Sequence, residues 1–139
     1  MAAKPKPQAC ILDACLFIDL LHRNDPGAAR VLANASTGKI RAALSSITVA
    51  ELWVGVGGAA QDRERSLAIA PCQIYDLTAS IAIRAGQMQR HSSNPPTLVI
   101  PLPDAIIAAT AEAYKLTIIS RDRHLKLLAT RYRLKYKPY

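Results

Sequence analysis

The segment Ala9-Cys-Ile-Leu-Asp13-Ala-Cys-Leu-Phe-Ile-Asp-Leu-Leu21 decides the fold, because in it a buried strand leads directly into an amphipathic helix. Residues 9 to 12 form a short apolar run, which is typical of a strand covered on both faces. The run stops at Asp13, and the next apolar side chains recur at helical spacing, at Leu16, Phe17, Leu20 and Leu21. The segment therefore predicts the first strand and the first helix of an α/β domain.

The same alternation continues along the rest of the chain. It predicts further strands at 40–44, 72–77, 116–120 and 132–137. It predicts further helices at 26–35, 45–53, 60–69, 78–90, from 104 onward and at 123–129, with a loop at 91–97. Strands that alternate with helices form a parallel sheet covered on both faces, so we expect an α/β fold with a central parallel sheet flanked by helices.

Length, composition and charge restrict the class of protein. The 139 residues fit one domain, and half of them are apolar, which excludes disorder for most of the chain. We expect a flexible segment at 1–8 and a single domain at 9–139. The net charge is +8, and eight of the 18 basic residues lie between Lys115 and Tyr139, where Asp122 is the one acid. This excess of positive charge favours anionic partners, nucleic acid first.

Cysteine content and hydropathy predict a location. Cys10, Cys15 and Cys72 are an odd number without a Cys-x-x-Cys pair, which disfavours a disulfide scaffold and a local zinc site and favours a reducing cytoplasm. No uncharged apolar run reaches the ~18 residues that a membrane helix needs, so we expect no membrane association. The sequence also lacks a P-loop motif and a Gly-x-Gly-x-x-Gly motif after the first strand, which disfavours a nucleotide or dinucleotide site.

Four acids lie where side chains can converge on one edge of the predicted sheet. Asp13 and Asp122 follow strands, Glu51 lies in the helix after the second strand, and Asp104 opens a helix. Clustered carboxylates repel one another unless a cation lies between them, and carboxylate ligands suit Mg²⁺ or Mn²⁺. Each acid also has a structural interpretation: Asp13 and Asp104 can cap helices, Glu51 can form a capping box with Thr48, and Asp122 can be a turn residue.

The segments around these acids resemble the motifs of PIN-domain ribonucleases, especially the VapC-type toxins. The resemblance covers residues 9–137, in the family's order, through Ile11-Leu-Asp13-Ala-Cys-Leu-Phe-Ile-Asp-Leu-Leu21, Ser45-Ser-Ile-Thr-Val-Ala-Glu51-Leu52, Pro101-Leu-Pro-Asp104-Ala-Ile-Ile-Ala-Ala-Thr-Ala111 and Leu116-Thr-Ile-Ile-Ser-Arg-Asp122. It implies a PIN-like three-layer α/β/α fold and an RNA substrate. It also implies a homodimer and a small antitoxin protein as partner.

The resemblance further implies roles for individual residues. Asp13, Glu51, Asp104 and Asp122 are the expected catalytic residues and the ligands of one or two Mg²⁺ or Mn²⁺ ions. Ser120 stands where the family often has threonine, and Cys15 stands where it usually has a polar residue, often asparagine; both are expected to orient Asp13 or its water, Cys15 weakly. The expected contacts to RNA phosphates are Arg121, Arg123 and Lys126.

Other residues receive weaker interpretations. Lys115 stands where the family often has glycine after a helix, and we expect it to be a helix cap. His124 is expected on the solvated face of a short helix, and Asp19 and Asp25 are expected on the surface. The alternation of Tyr132, Tyr136 and Tyr139 with basic residues suits RNA binding and a half-exposed edge strand equally well.

These observations predict a metal-dependent endoribonuclease, the toxin of a VapBC-type toxin–antitoxin pair. Two alternatives remain open at this point. One is a PIN nuclease of RNA processing that has no antitoxin. The other is a PIN-like module with a degraded site, which binds RNA or protein without cleaving it.

Overall fold

A computed structural model describes residues 3–139, in which five parallel strands form one central sheet. The strands are β1 (Gln8–Leu12), β2 (Ile40–Ser45), β3 (Gln73–Tyr75), β4 (Thr117–Ile119) and β5 (Tyr136–Lys137), in the order β3-β2-β1-β4-β5. The helices are α1 (Ala14–Arg23), α2 (Pro26–Ser36), α3 (Ser46–Val54), α4 (Ala59–Ile69), α5 (Ala79–Ser92), α6 (Leu102–Tyr114) and α7 (Arg123–Tyr132). The predicted α/β class and parallel sheet are confirmed.

The helices cover both faces of the sheet, which gives three layers. Ile11 of β1 and Ile118 of β4 belong to one apolar cluster with residues of α5, α6 and α7. Cys10 and Leu12, which alternate with Ile11 along β1, belong to a second cluster with residues of α1, α2 and α3. Because successive side chains of a strand point to opposite faces, the central strand is buried on both sides, as its continuous apolar run predicted.

Local signals in the sequence explain where several helices begin and end. Asp25 caps α2, since its Oδ2 accepts a hydrogen bond of 2.9 Å from the amide of Ala28. Thr78 caps α5 in the same way through the amide of Ile81. Lys115 ends α6 with φ 55°, the left-handed conformation that favours glycine, so its predicted role as a cap is confirmed.

Several predicted boundaries are wrong, most of all near the end of the chain. The strand predicted at 132–137 is reduced to Tyr136–Lys137, because α7 continues to Tyr132 and Arg133 then ends it at φ 55°. The strand predicted at 72–77 is Gln73–Tyr75, and α5 extends into the predicted loop as far as Ser92. Helix α6 begins at Leu102 rather than at Asp104, because prolines are tolerated at helix starts.

Strand β1 begins one residue earlier than predicted, while the division into a segment at 1–8 and a domain at 9–139 stays a prediction. Gln8 is the first residue of β1, and its side-chain amide donates to Thr117 Oγ1 of β4 at 3.0 Å. Met1 and Ala2, at the start of the segment predicted to be flexible, lie outside the described residues, and that flexibility stays a prediction. Within residues 3–139, no helix combines the length and the apolar character that crossing a membrane requires.

Candidate functional site

The carboxyl ends of β1 and β4 bring Asp13 and Ser120 together. Leu12 pairs with Ile119 in the register of the two strands, so the next residue of each chain segment emerges at the same edge. Ser120 Oγ donates a hydrogen bond of 2.8 Å to Asp13 Oδ2. Asp13 occupies the cap position of α1 but accepts no capping hydrogen bond, so its carboxylate is directed into the cluster and its structural interpretation fails.

Asp104 is the most perturbed of the four acids. It is the third residue of α6 and only 9% exposed, and no residue in the described part of the chain donates a hydrogen bond to its carboxylate. The pKa of the Asp104 carboxyl is raised to about 7, mainly because burial disfavours the charged form and further because nearby carboxylates are negative. In decreasing order of effect, these charges belong to Asp122, Asp13 and Glu51. The four predicted acids therefore act on one another at a single site.

Glu51 approaches the cluster from the middle of α3. The capping box suggested by its spacing from Thr48 does not form, because Ser45 caps the helix through the amide of Ile47. Partial desolvation raises the pKa of the Glu51 carboxyl, and the charge of Asp13 raises it further. Glu51 itself is exposed to solvent.

Asp122 caps the helix that follows it, and its role as a metal ligand stays a prediction. Its Oδ1 caps α7 by accepting from the amides of His124 at 2.7 Å and Leu125 at 3.3 Å. Its other oxygen, Oδ2, accepts no hydrogen bond from the described residues. The amide of Asp122 donates to Ser120 Oγ at 2.9 Å, so Ser120 connects Asp122 to Asp13.

His124 is the residue of the cluster that the sequence analysis missed. Its Nδ1 lies 3.3 Å from Asp122 Oδ1 and 3.7 Å from Asp104 Oδ2, and its side chain is 17% exposed. The expectation that it faces solvent is wrong, because side chains in the first turn of a helix point back toward the helix start, where Asp122 lies. Its position two residues after an aspartate that caps the helix was the available signal.

Cys15 contacts Asp13 directly. Its Sγ lies 3.1 Å from Asp13 Oδ2 and 3.7 Å from Ser120 Oγ. Burial raises the pKa of the Cys15 thiol, and the charge of Asp13 raises it further, so the thiol keeps its proton at neutral pH. The hydroxyl oxygen of Tyr139 lies 3.4 Å from Cys15 Sγ.

The three residues predicted to contact RNA differ in how they are placed. Arg121 is engaged within the chain: its guanidinium pairs with both oxygens of Asp25, at 2.9 and 3.2 Å, and its Nε donates to the carbonyl of Tyr139 at 2.7 Å. Arg123 and Lys126 are exposed in the first turns of α7. The contacts of all three to RNA stay predictions.

Asp19 is buried, although the sequence analysis expected it on the surface. The hydroxyl of Tyr139 donates to its Oδ2 at 2.5 Å, and Arg23 pairs with its Oδ1 at 3.2 Å. Asp25, also expected on the surface, is only partly exposed beside Arg121.

The alternation of tyrosines with basic residues has another explanation. Tyr136 and Tyr139 fix the end of the described chain to the domain, and the hydroxyl of Tyr136 donates to the carbonyl of Ser120 at 2.7 Å.

The donor set of the site fits a divalent cation. Atoms of Asp104, Asp122 and His124 lie within 4.8 Å of one another, so one ion can be reached by all three side chains. The buried carboxylate of Asp104 has negative neighbours and no hydrogen-bond donor among the described residues, and a cation would supply the missing compensation. Carboxylate oxygens of this kind suit Mg²⁺ or Mn²⁺.

Comparisons with known proteins agree with this description. The family model of the PIN domain matches residues 10–130. A toxin–antitoxin complex from Klebsiella pneumoniae contains a similar chain, with 28% identity, a TM-score of 0.66 and coverage of 82% of this chain and 87% of that one. DNA-bound VapBC from Salmonella typhimurium shares the fold at 23% identity and a TM-score of 0.67, and the match covers 94% of this chain and 98% of that one. FitAcB from Neisseria gonorrhoeae shares the fold at 20% identity and a TM-score of 0.68, and the match covers 91% of this chain and 95% of that one. No curated protein compared with the chain matches it.

Proposed function

The chain belongs to the PIN domain family, a family of nucleases, and on that basis we propose that it is a metal-dependent endoribonuclease and the toxin of a toxin–antitoxin pair. One observation carries the proposal. The buried carboxylate of Asp104, with its raised pKa, faces three further acids at one edge of the sheet. Such a concentration of negative charge has a chemical use in a nuclease, where it holds a divalent ion against a phosphodiester.

In the proposed mechanism, Asp13, Asp104, Asp122 and Glu51 hold one or two Mg²⁺ or Mn²⁺ ions. The chemistry supplied by such an ion, when bound, would be a lower pKa of its water and neutralisation of the phosphodiester charge. Ser120 and Cys15 orient the Asp13 carboxylate. The capping bonds of Asp122 fix the orientation of its carboxylate toward the cluster.

RNA is the proposed substrate because the chain is strongly basic and cationic side chains lie close to the acids in sequence and structure. Arg123 and Lys126 are exposed in the helix that begins at Asp122. Phosphate contacts of lysine and arginine position a nucleic acid without reading its sequence. Arg121 is the weakest of the three candidates, because Asp25 and Tyr139 already satisfy its guanidinium.

A small antitoxin protein is the proposed partner, and its support comes from the similar chain in the Klebsiella toxin–antitoxin complex. The surface offers room for a partner beside Glu51, in a hollow lined by Ile18, Leu21 and His22 among others. Ile18 is 45% exposed and Val54 of the adjoining helix α3 is 88% exposed, so apolar surface is available there. A homodimer and a cytoplasmic location, the latter suggested by three free cysteines, complete the proposal.

The test of the nuclease is cleavage of total cellular RNA by the purified protein with Mg²⁺ or Mn²⁺, and with EDTA. We expect discrete fragments that require the metal and that Asp104→Asn abolishes. Glu64→Gln is the matched control, because it also converts an acid to an amide but lies on the exposed helix α4. Intact RNA under every metal condition, with RNA still retained in a binding assay, would instead identify a binding module.

A second experiment separates a toxin from a nuclease of RNA processing. Expression of the chain alone should arrest bacterial growth, and Asp13→Asn should relieve the arrest. Co-expression of a small protein encoded beside the gene should also relieve it and should co-purify with the chain. An active nuclease that leaves growth unaffected and has no such neighbour belongs to RNA processing.

A further inference from the structure

His124 supplies a nitrogen atom to a cluster that the sequence analysis assigned to carboxylates alone. Its Nδ1 faces an oxygen of Asp122 and an oxygen of Asp104, and the ligand atoms of all three residues lie within 4.8 Å of one another. We propose that His124 is a direct ligand of the divalent ion, which makes the site a mixed carboxylate–imidazole site with a preference for Mn²⁺ over Mg²⁺. The inference rests on the proposed function, because it concerns the same metal site.

The distances agree with ligands on adjacent corners of one coordination sphere. In an octahedral site with bonds of about 2.1 Å, neighbouring ligand atoms lie about 3 Å apart. The Nδ1 atom lies 3.3 and 3.7 Å from its two carboxylate oxygens, which is close to that spacing.

A hydrogen bond between His124 and Asp122 explains the contact less well. Asp122 Oδ1 already accepts from two backbone amides. The imidazole nitrogen lies 3.3 Å from this oxygen, but without the alignment that a hydrogen bond requires. The buried carboxylate of Asp104, only 9% exposed, likewise receives no hydrogen bond from the imidazole or from any other described group. A cation between these atoms satisfies both side chains at once.

The nitrogen ligand determines which metal the site prefers. Mg²⁺ binds oxygen ligands almost exclusively, whereas imidazole suits the divalent ions of the transition series. Mn²⁺ is the ion of that series that also suits several carboxylates. A mixed site therefore discriminates against Mg²⁺ more strongly than a site of four acids would.

The test measures metal binding and requires no cleavage of RNA. Mn²⁺ is added to the purified protein, its affinity is measured by the loss of the free-ion resonance, and nitrogen coupling to the bound ion is recorded by pulsed paramagnetic resonance. The same measurements are made on His124→Asn and on His91→Asn, a matched control on the exposed end of α5. Competition with Mg²⁺ gives the relative affinity, and thermal melting confirms that both variants fold.

We expect nitrogen coupling in the parent protein and in His91→Asn, and its loss in His124→Asn. The coupling should change when the histidines carry ¹⁵N, a measurement that needs no variant. The Mn²⁺ affinity of His124→Asn should fall at least about tenfold, while its Mg²⁺ affinity changes little. Bound Mn²⁺ without nitrogen coupling would overturn the inference and leave the metal nuclease intact. Failure of the parent protein to bind either ion would overturn both.

Discussion

The thiol of Cys15 contacts Asp13 at 3.1 Å, on the same carboxylate oxygen that accepts the hydrogen bond from Ser120. The two residues are neighbours at the start of α1, so the contact forms locally and needs no rearrangement elsewhere. Ser120 and Cys15 thus hold one oxygen of Asp13 from two sides, and the other oxygen accepts no hydrogen bond from the described residues. This arrangement makes the contribution of the thiol measurable.

Removal of the thiol donor should lower the rate of RNA cleavage. A thiol donates weakly, so we expect Cys15→Ala to lose about 1 kcal/mol of transition-state stabilisation, or roughly fivefold in rate. Cys15→Ser, which supplies a stronger donor, should match or exceed the parent protein. Single-turnover kinetics measure both rates, and Cys72→Ala is the control because that half-buried cysteine is distant in sequence from the acids. Equal rates for the alanine and serine variants would contradict the prediction.

Loss of the Ser120 hydroxyl should affect stability as well as activity. Ser120 is fully buried, and its hydroxyl both donates to Asp13 and accepts from the amide of Asp122. We expect Ser120→Ala to lower the free energy of unfolding by about 1–3 kcal/mol, because a buried amide loses its acceptor and a carboxylate loses its donor. Urea unfolding measures this change. An unchanged midpoint and slope of the urea unfolding curve would contradict the prediction, because it would show that water replaces the hydroxyl without loss of stability.

Without metal, the protein should lose stability relative to Asp104→Asn as the pH rises. The pKa of Asp104 is raised to about 7, so between about pH 4 and pH 7 the folded state binds more protons than the unfolded state. The free energy of unfolding therefore falls across this window, by an amount on the order of 4 kcal/mol from this one group. Urea unfolding in EDTA at a series of pH values should show the difference between the two proteins growing to about pH 7 and then levelling.

Saturating Mn²⁺ provides the control for the pH experiment. An ion that binds the folded state should offset the repulsion among the carboxylates and stabilise the parent protein more than Asp104→Asn at neutral pH. A difference between the two proteins that is independent of both pH and metal would contradict the pKa assigned to Asp104.

The hydroxyl of Tyr139 should stabilise the fold through Asp19. It donates to the buried carboxylate of Asp19, while the guanidinium of Arg121 lies 4.0 Å from the centre of the tyrosine ring. Tyr139→Phe keeps the ring and removes the hydrogen bond, so we expect a loss of about 1–3 kcal/mol in the free energy of unfolding. Tyr114→Phe is the control, since the Tyr114 ring stacks on Tyr75 and is partly exposed. A larger loss in the free energy of unfolding for Tyr114→Phe than for Tyr139→Phe would contradict the prediction.

Much of the fold follows from local patterns in the sequence. Apolar runs predicted the central strands, because β1 and β4 are buried on both faces. The rule that parallel strands present their carboxyl ends at one edge then predicted that Asp13 and Asp122 converge. Helix α6 was predicted to begin at its acid because aspartate is a common cap, whereas Pro101 occupies the cap position.

The features that the sequence did not reveal depend on contacts between distant segments. Asp19 is buried because Tyr139, 120 positions later, docks on it, and no periodicity near Asp19 indicates that contact. His124 has the spacing of an exposed helical residue, and the adjacent start of α6 is what covers it. In both cases, contacts between distant segments determine which side chains are covered, and local amphipathicity does not reveal these contacts. The sequence therefore predicted where the acids converge but not the burial of Asp19 or the partial burial of His124.

Because all the strands are parallel, the four acids lie at the carboxyl ends of the strands, and the rim at the amino ends is free of them. The turn between α2 and β2 enters the sheet at the amino end of its strand, opposite the edge that carries Asp13 and Ser120. Lys39 is exposed in this turn. A fluorophore or surface tether attached at Lys39 would therefore stand a full strand length from the carboxylates. The turn is a rational point from which to immobilise or label the protein for the measurements described above.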